Sequence, residues 1–359
     1  MKILHISKYF PPKYGGIESQ AKYICDYLYK KKINIEVLAF GKKTNVVLNK
    51  YKIFKVKPLL TILSQPISFN FFLIARKLIK RNQIIHFHYP NIIGLLICFL
   101  FCTNQKLIIH WHSDVISQKY LNKFFYLIEK SLFKRAVKIV FTSNVYARNF
   151  KYFNTYKKKI SIISCGSKDL NKEFNSKKSY KKKFKILQKK FKNYKLIYSV
   201  GRLVHYKGFR YLIKSAKYLD DKTKIIIAGE GYLYKKLKKI IKDEKLEDKV
   251  HLIGKISFGL NLSYLKLCRI FCLPSITRNE AFGVAIIEAM SFSKPIISTK
   301  IKASGINWVN RHNNTGFVVP IKNPEKIATA IKLFFENQSL YKKMSLNSKK
   351  RYIKYFNSN

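Results

Sequence analysis

Short apolar runs of strand length alternate with amphipathic helical stretches along almost the whole chain. This alternation predicts parallel sheets covered by helices on both faces, because each parallel pair needs a connection long enough to hold a helix. Ten strands are predicted: Ile3–Ile6, Ile35–Ala39, Ile84–His88, Leu107–Trp111, Ile139–Thr142, Leu196–Val200, Lys224–Ala228, Val250–Ile253, Ile270–Pro274 and Pro295–Ser298. Helices are predicted at Gln20–Lys31, Phe71–Arg81, Phe209–Tyr218, Tyr232–Lys242 and Val284–Met290.

A lysine-rich stretch over 171–193 interrupts the alternation, so two doubly wound domains are predicted. We expect a Rossmann-like domain over 1–175, a basic linker over 176–194, a second Rossmann-like domain over 195–340 and a C-terminal helix over 341–359. A solvated linker is favoured for the lysine-rich stretch over a binding element. Ligands of such sheets bind beyond the carboxyl ends of the strands, which predicts a site in a cleft between the two domains.

The chain has 72 Lys+Arg against 18 Asp+Glu, a formal net charge of +54. This charge fits a nucleic-acid binder, attachment to an anionic membrane surface, or a compositional bias in which lysine replaces neutral surface residues at little cost. The basic residues are spread along the whole chain, which weakens the nucleic-acid interpretation. The segment Leu59–Arg81 mixes apolar, aromatic and basic residues, among them Phe69, Phe71, Phe72, Arg76, Lys77, Lys80 and Arg81. It fits an interfacial membrane element and a core-facing helix with a solvated basic face equally well.

Cysteine spacing and hydropathy bear on the compartment. None of the six cysteines forms a C-x-x-C pair, so no secreted disulfide framework is expected. The first residues lead directly into a predicted strand, without the apolar region of a signal peptide, and the most hydrophobic segment, Ile92–Cys102, is too short to span a bilayer. A cytoplasmic location is therefore expected, peripheral at the inner face of the membrane if the surface interpretation holds.

Two motifs of the first half follow predicted strands. Gly15-Gly16 precedes a predicted helix, where a glycine pair lets the backbone approach a phosphate and the helix start offers N–H groups. A tight turn explains the same pair equally well. The segment His112-Ser113-Asp114 lies where ligands of a parallel sheet bind, although Ser113 or Asp114 could also cap a helix.

Two motifs of the second half carry charges. Arg202 and Lys207 lie on one loop after a strand and can both reach one diphosphate, although they are also two cations among 72. Glu280 and Glu288 are eight residues apart, and the second lies in an apolar helix, where a carboxylate is costly without a partner. A hydroxyl-rich ligand would supply that partner, and the start of the helix at Gly283 suits phosphate.

Taken in order, these motifs resemble glycosyltransferase family 4, a group of retaining, nucleotide-sugar-dependent enzymes of the GT-B fold. The loop Ala228-Gly229-Glu230-Gly231 and the segment Asn314-Thr315-Gly316-Phe317 match as well. The resemblance covers nearly the whole chain. Its specificity lies in the ordered set, since each motif alone is weak.

The resemblance implies a role for each matching residue. Arg202 and Lys207 would hold the diphosphate and stabilise it as the leaving group, and Glu280 would bind hydroxyls of the donor sugar. Glu288 would bind the ribose, and His112 would lie near the reacting face of the sugar. The implied donor-binding set also contains Gly15, Gly16, Gly201, Gly231, Phe282, Gly283 and Val284.

The implied reaction moves a hexose from a nucleoside diphosphate sugar to a saccharide or lipid-linked acceptor in cell-surface polysaccharide synthesis. No metal or other cofactor is expected, and the sequence contains no Asp-x-Asp triplet. His86–Pro90 and His112–Asp114 are similar to bacterial surface-polysaccharide members, many of them mannosyltransferases, which favours GDP-mannose slightly over a UDP-hexose.

The alternative function is a catalytically silent, basic GT-B scaffold that binds a membrane or nucleic acid. The presence of Arg202, Lys207, Glu280 and Glu288 argues against it, and no nucleic-acid partner is expected. The C-terminal helix is expected to be short relative to the family, which would leave the hinge between the domains less tethered.

Overall fold

The computed structural model describes residues 1–12, 15–62, 65–114 and 122–358, with the side chains of 122–124 left out. The chain divides into two compact units, Met1–Ser164 and Cys165–Asn359. Each unit is built on its own predominantly parallel sheet, so the fold class predicted from the strand–helix alternation is confirmed.

The first unit contains an eight-stranded sheet and a small hairpin. Its strands are β1 (Lys2–Tyr9), β2 (Asn34–Phe40), β3 (Asn45–Leu48), β4 (Lys52–Val56), β5 (Leu60–Ile62), β6 (Gln65–Ile67), β7 (Ile84–Tyr89), β8 (Lys106–Trp111), β9 (Lys138–Phe141) and β10 (Ile160–Ile162). The large sheet has the order β10-β9-β8-β7-β1-β2-β4-β3 and is parallel except between β3 and β4. Strands β5 and β6 form the hairpin.

Helices of the first unit are α1 (Gly16–Lys30), α2 (Phe69–Lys80), α3 (Ile92–Phe101), α4 (Asn122–Arg135), α5 (Asn144–Arg148) and α6 (Phe153–Tyr156). Helix α2 shows how the amphipathic pattern is used. Phe71 is fully buried and stacks on Phe40 with ring centroids 4.1 Å apart. Arg81, just after the helix, binds the buried Glu36 carboxylate through Nε at 3.0 Å. Phe71 therefore belongs to the packing of this unit and is not part of the exposed face considered for a membrane, whereas Arg81 remains exposed while its guanidinium binds Glu36.

The second unit contains a six-stranded, fully parallel sheet. Its strands are β11 (Lys195–Val200), β12 (Thr223–Ala228), β13 (Val250–Leu252), β14 (Ile270–Leu273), β15 (Ile296–Thr299) and β16 (Gly316–Val319), in the order β13-β12-β11-β14-β15-β16. Its helices are α7 (Leu170–Ser176), α8 (Lys178–Lys190), α9 (Phe209–Ser215), α10 (Tyr234–Asp243), α11 (Phe258–Leu267), α12 (Val284–Ser291), α13 (Ile306–Val309), α14 (Pro324–Glu336) and α15 (Gln338–Tyr355).

Side chains of the second sheet alternate between two apolar clusters. Tyr198 and Phe271 belong to one cluster, whereas their chain neighbours Ile197 and Ile270 belong to the other. Both faces are buried because helices cover both, which is why these strands are apolar at successive positions. All ten strands predicted from the sequence are present, with ends shifted by a few residues at most.

The division between the units differs from the predicted one. Residues 165–194 pack with the second unit, and 176–194 are not a linker but mostly helix α8. Leu187 and Phe191 are buried in the same apolar cluster as Tyr198. The many lysines of α8 make the segment look like a solvated linker, because its apolar residues form only a narrow face of the helix. That face is buried by contact with α11.

The predicted C-terminal helix is part of α15, which packs on α12 and α14 in the second unit. Arg351 anchors it by donating from Nε to the Val309 carbonyl oxygen at 2.9 Å. All six cysteines are buried free thiols. Within the described ranges, every helix is too short or too polar to cross a bilayer.

Candidate functional site

The strand order of the second unit creates a crevice at one place. From β11 the chain moves outward to β12 and β13, then returns to place β14 on the other side of β11. Loops that leave the carboxyl ends of β11 and β14 therefore diverge, which is where open α/β sheets bind ligands. Lys207 follows β11 and Glu280 follows β14, so the fold brings together two predicted site residues that lie 73 positions apart.

Lys207 and Glu280 form a tight, buried ion pair. Lys207 Nζ donates to Glu280 Oε2 at 2.5 Å, and the two side chains are 11% and 10% exposed. Ser275 Oγ donates to the same carboxylate oxygen at 3.0 Å. Burial alone lowers the pKa of the Lys207 ammonium, but the Glu280 carboxylate outweighs this effect and the net pKa is raised. The ammonium is thus held as a fixed positive charge at the end of the sheet.

The loop after β11 places Gly201 and Arg202 beside this lysine. A Cβ at Gly201 would lie 3.3 Å from Lys207 Cε, so the glycine leaves room for the lysine stem. Arg202 is exposed, and its Nη2 lies 3.3 Å from the Tyr206 hydroxyl. Arg202 lies close enough to Lys207 for its charge to lower the pKa of the Lys207 ammonium, against the larger opposing effect of Glu280.

Glu288 is on α12, about two turns beyond Glu280 in the chain, and is partly exposed. Burial raises the pKa of its carboxyl to about 7, against the opposing effect of Lys207. Among the described residues, no hydrogen bond or ion pair to the Glu288 carboxylate is found. The side chain is therefore available for a ligand with hydroxyl donors.

Phe282, Gly283 and Val284 form the start of α12. Gly283 has φ +83° and no side-chain cap covers this helix start within the described chain. A left-handed conformation at this point favours glycine. The Phe282 side chain is buried and packs on Trp308 at a ring-centroid distance of 5.9 Å, so it belongs to the apolar core, and the predicted role of its backbone toward the donor stays a prediction.

Gly231 has a packing role in the structure. A Cβ there would lie 2.4 Å from the Leu203 carbonyl oxygen, so the loop after β12 approaches the loop after β11 at backbone distance. Leu203 N–H donates to the Glu230 carbonyl oxygen at 2.9 Å and completes this contact. The predicted role of Gly231 toward the donor stays a prediction.

Gly15 and Gly16 lie in the first unit, at the start of α1. Gly15 is the N-cap residue of α1, and its backbone is extended, with φ −168°. Glycine has no side chain with which to cap the first N–H groups of the helix. A Cβ at Gly15 would meet the mobile end of Glu18, so the site does not demand glycine on steric grounds alone. The predicted role of Gly15 and Gly16 toward the diphosphate stays a prediction.

His112 follows β8 in the first unit and is 6% exposed. The backbone N–H of His112 donates to the Tyr89 carbonyl oxygen at 3.1 Å, which continues the hydrogen-bond ladder between β7 and β8. The alternative that Ser113 or Asp114 caps a helix depends on residues 115–121, which lie outside the described residues. Asp114 Oδ1 instead accepts from Trp111 Nε1 at 3.1 Å.

His112 belongs to a cluster that the sequence analysis missed. His5, His86, His88, His110 and His112 are buried on one face of β1, β7 and β8, and their rings stack, for example at 4.1 Å between His110 and His112. Burial lowers the pKa of every one of them, to about 4 for His86 and about 3 for His112. The spacing His-x-His in two consecutive strands was the available signal, because alternate residues of a strand share one face.

Comparisons with known proteins agree with this architecture. Residues 180–351 match the model of glycosyl transferases group 1, and residues 14–167 match that of glycosyltransferase family 4. The D-rhamnosyltransferase WbpZ of Pseudomonas aeruginosa is 26% identical, over 99% of this chain and 92% of the relative. The O-antigen chain mannosyltransferase C of Escherichia coli is 24% identical, over 99% of this chain and 94% of the relative.

Solved structures show the same fold. Anabaena HepE in complex with UDP and glucose superposes with a TM-score of 0.79 at 17% identity, covering 100% of this chain and 96% of that one. WaaG, a glycosyltransferase involved in lipopolysaccharide biosynthesis, superposes with a TM-score of 0.71 at 13% identity, covering 98% and 95%. Two doubly wound domains of this kind define the GT-B fold. The chain is a glycosyltransferase, with a group 1 glycosyl transferase domain over residues 180–351 and a family 4 glycosyltransferase domain over residues 14–167.

Proposed function

We propose that this enzyme is a retaining hexosyltransferase that uses a nucleoside diphosphate sugar, with GDP-mannose slightly favoured over a UDP-hexose. Its acceptor is a saccharide or a lipid-linked saccharide of a cell-surface polysaccharide. The observation that carries the proposal is the buried Lys207–Glu280 pair at 2.5 Å, at the switch point of the second sheet and close enough to Glu288 to affect its pKa.

The first requirement of the reaction is to stabilise the negative charge that develops on the leaving group. Negative charge grows on the diphosphate as the sugar–phosphate bond breaks, and fixed cations in a site shielded from water stabilise it strongly. Lys207 is already fixed by Glu280, and Arg202 lies on the same loop with a planar guanidinium that suits two phosphate oxygens. Two such cations can take the place of a divalent metal, so we propose a donor site without metal.

The two glutamates divide the recognition of the donor. Glu280 accepts from Lys207 and Ser275 through one oxygen, Oε2, and its other oxygen has no hydrogen-bond donor among the described residues, so it can accept from sugar hydroxyls. Glu288 can accept from the two ribose hydroxyls. The N–H groups at the start of α12 can donate to phosphate or sugar oxygens.

The first unit supplies the remaining proposed contacts. His112 would lie near the reacting face of the sugar, where a neutral imidazole can accept or donate a hydrogen bond. Gly15 and Gly16 would approach the diphosphate. The acceptor hydroxyl would attack from the face that the phosphate leaves, with the phosphate taking its proton, which retains the anomeric configuration.

Support for the donor and acceptor comes from the relatives' names. One relative is named as an O-antigen chain mannosyltransferase and another as a D-rhamnosyltransferase, which favours surface polysaccharide and a mannose-like sugar. HepE was solved with UDP and glucose, which keeps UDP-hexoses as the competing donors.

A thermal-shift panel with GDP, UDP, ADP and CDP tests the donor site in wild type, Glu288→Ala and Glu247→Ala. Glu247 is an exposed glutamate of the same unit and serves as the matched control. At 100 times its Kd, the correct nucleotide adds about 2.7 kcal/mol, which is roughly 2–4 °C for a chain of this length. We expect one nucleotide to act selectively, with loss in Glu288→Ala only.

Equal shifts by all four nucleotides and by single-stranded DNA, unchanged in Glu288→Ala, would indicate general polyanion binding and contradict the proposal. For the stereochemistry, the product formed from the selected nucleotide sugar is examined by proton NMR at the earliest turnover. An α-linked product from an α-linked donor is expected, and a β-linked product would exclude retention.

We also propose that the first unit attaches to an anionic membrane surface. Leu59, Ile62 and Phe69 at and beside the β5–β6 hairpin are 81%, 55% and 73% exposed. Arg76 and Lys77 of α2 are exposed as well. The apolar side chains can enter the lipid interface while the cations contact anionic headgroups. Each lysine or arginine near the surface contributes about 1 kcal/mol to the free energy of membrane binding.

Co-sedimentation with vesicles tests this attachment. Wild type is expected to pellet with vesicles containing anionic phospholipid and far less with neutral ones. Leu59→Ser/Phe69→Ser should lose most of this binding, whereas Leu346→Ser, at an exposed leucine of the second unit, should keep it. Equal and negligible binding to both vesicle types would exclude the proposal.

A further inference from the structure

The histidine cluster lies at the switch point of the first sheet. From β1 the chain moves outward through β2 and β4, then returns to place β7 on the other side of β1, with β8 beyond it. His5 of β1 is in register with His86 of β7, and His88 of β7 is in register with His110 of β8. Five of the chain's eight histidines thus meet at one place, whereas surface histidines would be scattered.

The imidazole nitrogens are directed at one another. His5 Nδ1 lies 3.1 Å from His88 Nε2, and His88 Nδ1 lies 3.0 Å from His112 Nε2. His86 Nε2 lies 3.3 Å from His110 Nδ1. A neutral imidazole has one N–H and one lone pair, so such a chain leaves a nitrogen unsatisfied at its end. His5 Nε2 and His110 Nε2 are indeed buried without a hydrogen-bond partner in the described part of the chain.

Convergent, neutral, buried nitrogens are the donor set of a transition-metal site. Two sets of three place one ligand atom each within 4.8 Å of the others, namely His5/His86/His88 and His88/His110/His112. We propose that His5, His86 and His88 bind one divalent transition-metal cation of the zinc class. These three ligands join β1 and β7 at the switch point. His112 is outside the ligand set, and its Nε2 contacts His88 Nδ1, the ring nitrogen of His88 that does not contact His5.

The chemistry of the cluster fits such an ion. Imidazole suits zinc, cobalt, nickel and copper, whereas magnesium and calcium require oxygen ligands. Metal-bound histidines usually hydrogen-bond through their second ring nitrogen, and His112 and His110 offer that contact to His88 and His86. Three protein ligands leave a fourth position open to water or to an anionic ligand. Arg202 and Lys207, the cations proposed for the diphosphate, belong to the second unit and are not ligands of this ion.

Metal titration of the full-length chain, prepared without a polyhistidine tag and stripped with a chelator, tests the proposal. Zn²⁺ binding is followed by calorimetry, and Co²⁺ binding by its visible absorption, which reports nitrogen ligation directly. We expect one equivalent of each, with a rise in melting temperature. His5→Asn and His88→Asn keep a polar side chain and should lower the affinity at least tenfold, whereas His251→Asn in the second unit should not change it.

His110→Asn decides between the two sets and should retain binding. Loss of binding in His110→Asn, with retention in His5→Asn, would overturn the assignment to His5, His86 and His88. Absence of stoichiometric binding by the wild type would overturn the site altogether. GDP and UDP thermal shifts of the same variants report the second unit, so failure of the metal site and failure of the proposed donor site are distinguished. A melting curve without metal that matches that of the metal-free wild type shows that a variant is folded.

Discussion

Lys207 Nζ lies 2.5 Å from Glu280 Oε2, and the two side chains are only 11% and 10% exposed. Breaking a buried pair on one side leaves an unpaired buried charge, which costs about 3–5 kcal/mol. We expect Lys207→Met and Glu280→Gln each to lower the free energy of unfolding by an amount in this range. The double variant Lys207→Met/Glu280→Gln should lose clearly less than the sum, because neither charge is then left alone. Urea denaturation of the four proteins measures this coupling, and additive losses would show that the two groups are independent.

Glu288 gives the stability a pH dependence of defined sign. Burial raises the pKa of its carboxyl from an ordinary value of 4.5 to about 7 in the folded chain, so between these two pH values the folded state holds a proton that the unfolded state has lost. The stability contributed by this group is fully present below pH 4.5 and is lost as the pH rises to about 7. The gap corresponds to at most about 3 kcal/mol.

Glu288→Gln removes this titration and isolates its effect. We expect the variant to become more stable than wild type as the pH rises from 5 to 8, with little difference at the acid end. Urea denaturation at several pH values measures the difference between the two proteins. A difference that does not vary with pH would contradict the raised pKa.

Gly283 is a position where an added methyl group has two costs. Its φ of +83° is unfavourable for other residues, and a Cβ would lie 3.1 Å from Ile286 Cδ1. Gly254 shares a positive φ, +66°, but a Cβ there would have its nearest neighbour at 4.0 Å. We expect Gly254→Ala to cost about 1 kcal/mol from the backbone alone. Gly283→Ala should cost more and also weaken nucleotide binding. Urea denaturation measures the free energy of unfolding of both variants. Equal losses of this free energy would show that contact with Ile286 does not contribute to the cost at Gly283.

Arg202 is exposed, so its substitution should separate activity from stability. Arg202→Ala is expected to lower kcat by roughly 10²–10³-fold, the effect typical of removing one group that stabilises developing charge. Its free energy of unfolding should change by less than about 0.5 kcal/mol. Arg210→Ala, at another exposed arginine after the same strand, is the matched control and should keep full turnover. Similar turnover in both variants would exclude a leaving-group role for Arg202.

The paired strand–helix pattern was enough to predict the two parallel sheets. Strands such as β11 and β12 are apolar at successive positions, because both of their faces are buried. A separate rule, that ligands of parallel sheets bind beyond the carboxyl ends of the strands, predicted the edge at which Lys207 and Glu280 lie. The domain boundary was not predicted correctly, since α8 has an apolar face that is too narrow to be evident among its lysines.

What the sequence by itself determined is therefore the fold class and the loop motifs that hold the residues of the proposed donor site, because periodicity and loop motifs are local properties of the chain. Tertiary structure alone decided which charges are paired and which nitrogens converge. Lys207 meets Glu280 only through the pairing of β11 with β14, and His5 meets His88 only through the pairing of β1 with β7. Such contacts depend on strand order and register, which bring distant segments together and set the burial that shifts each pKa.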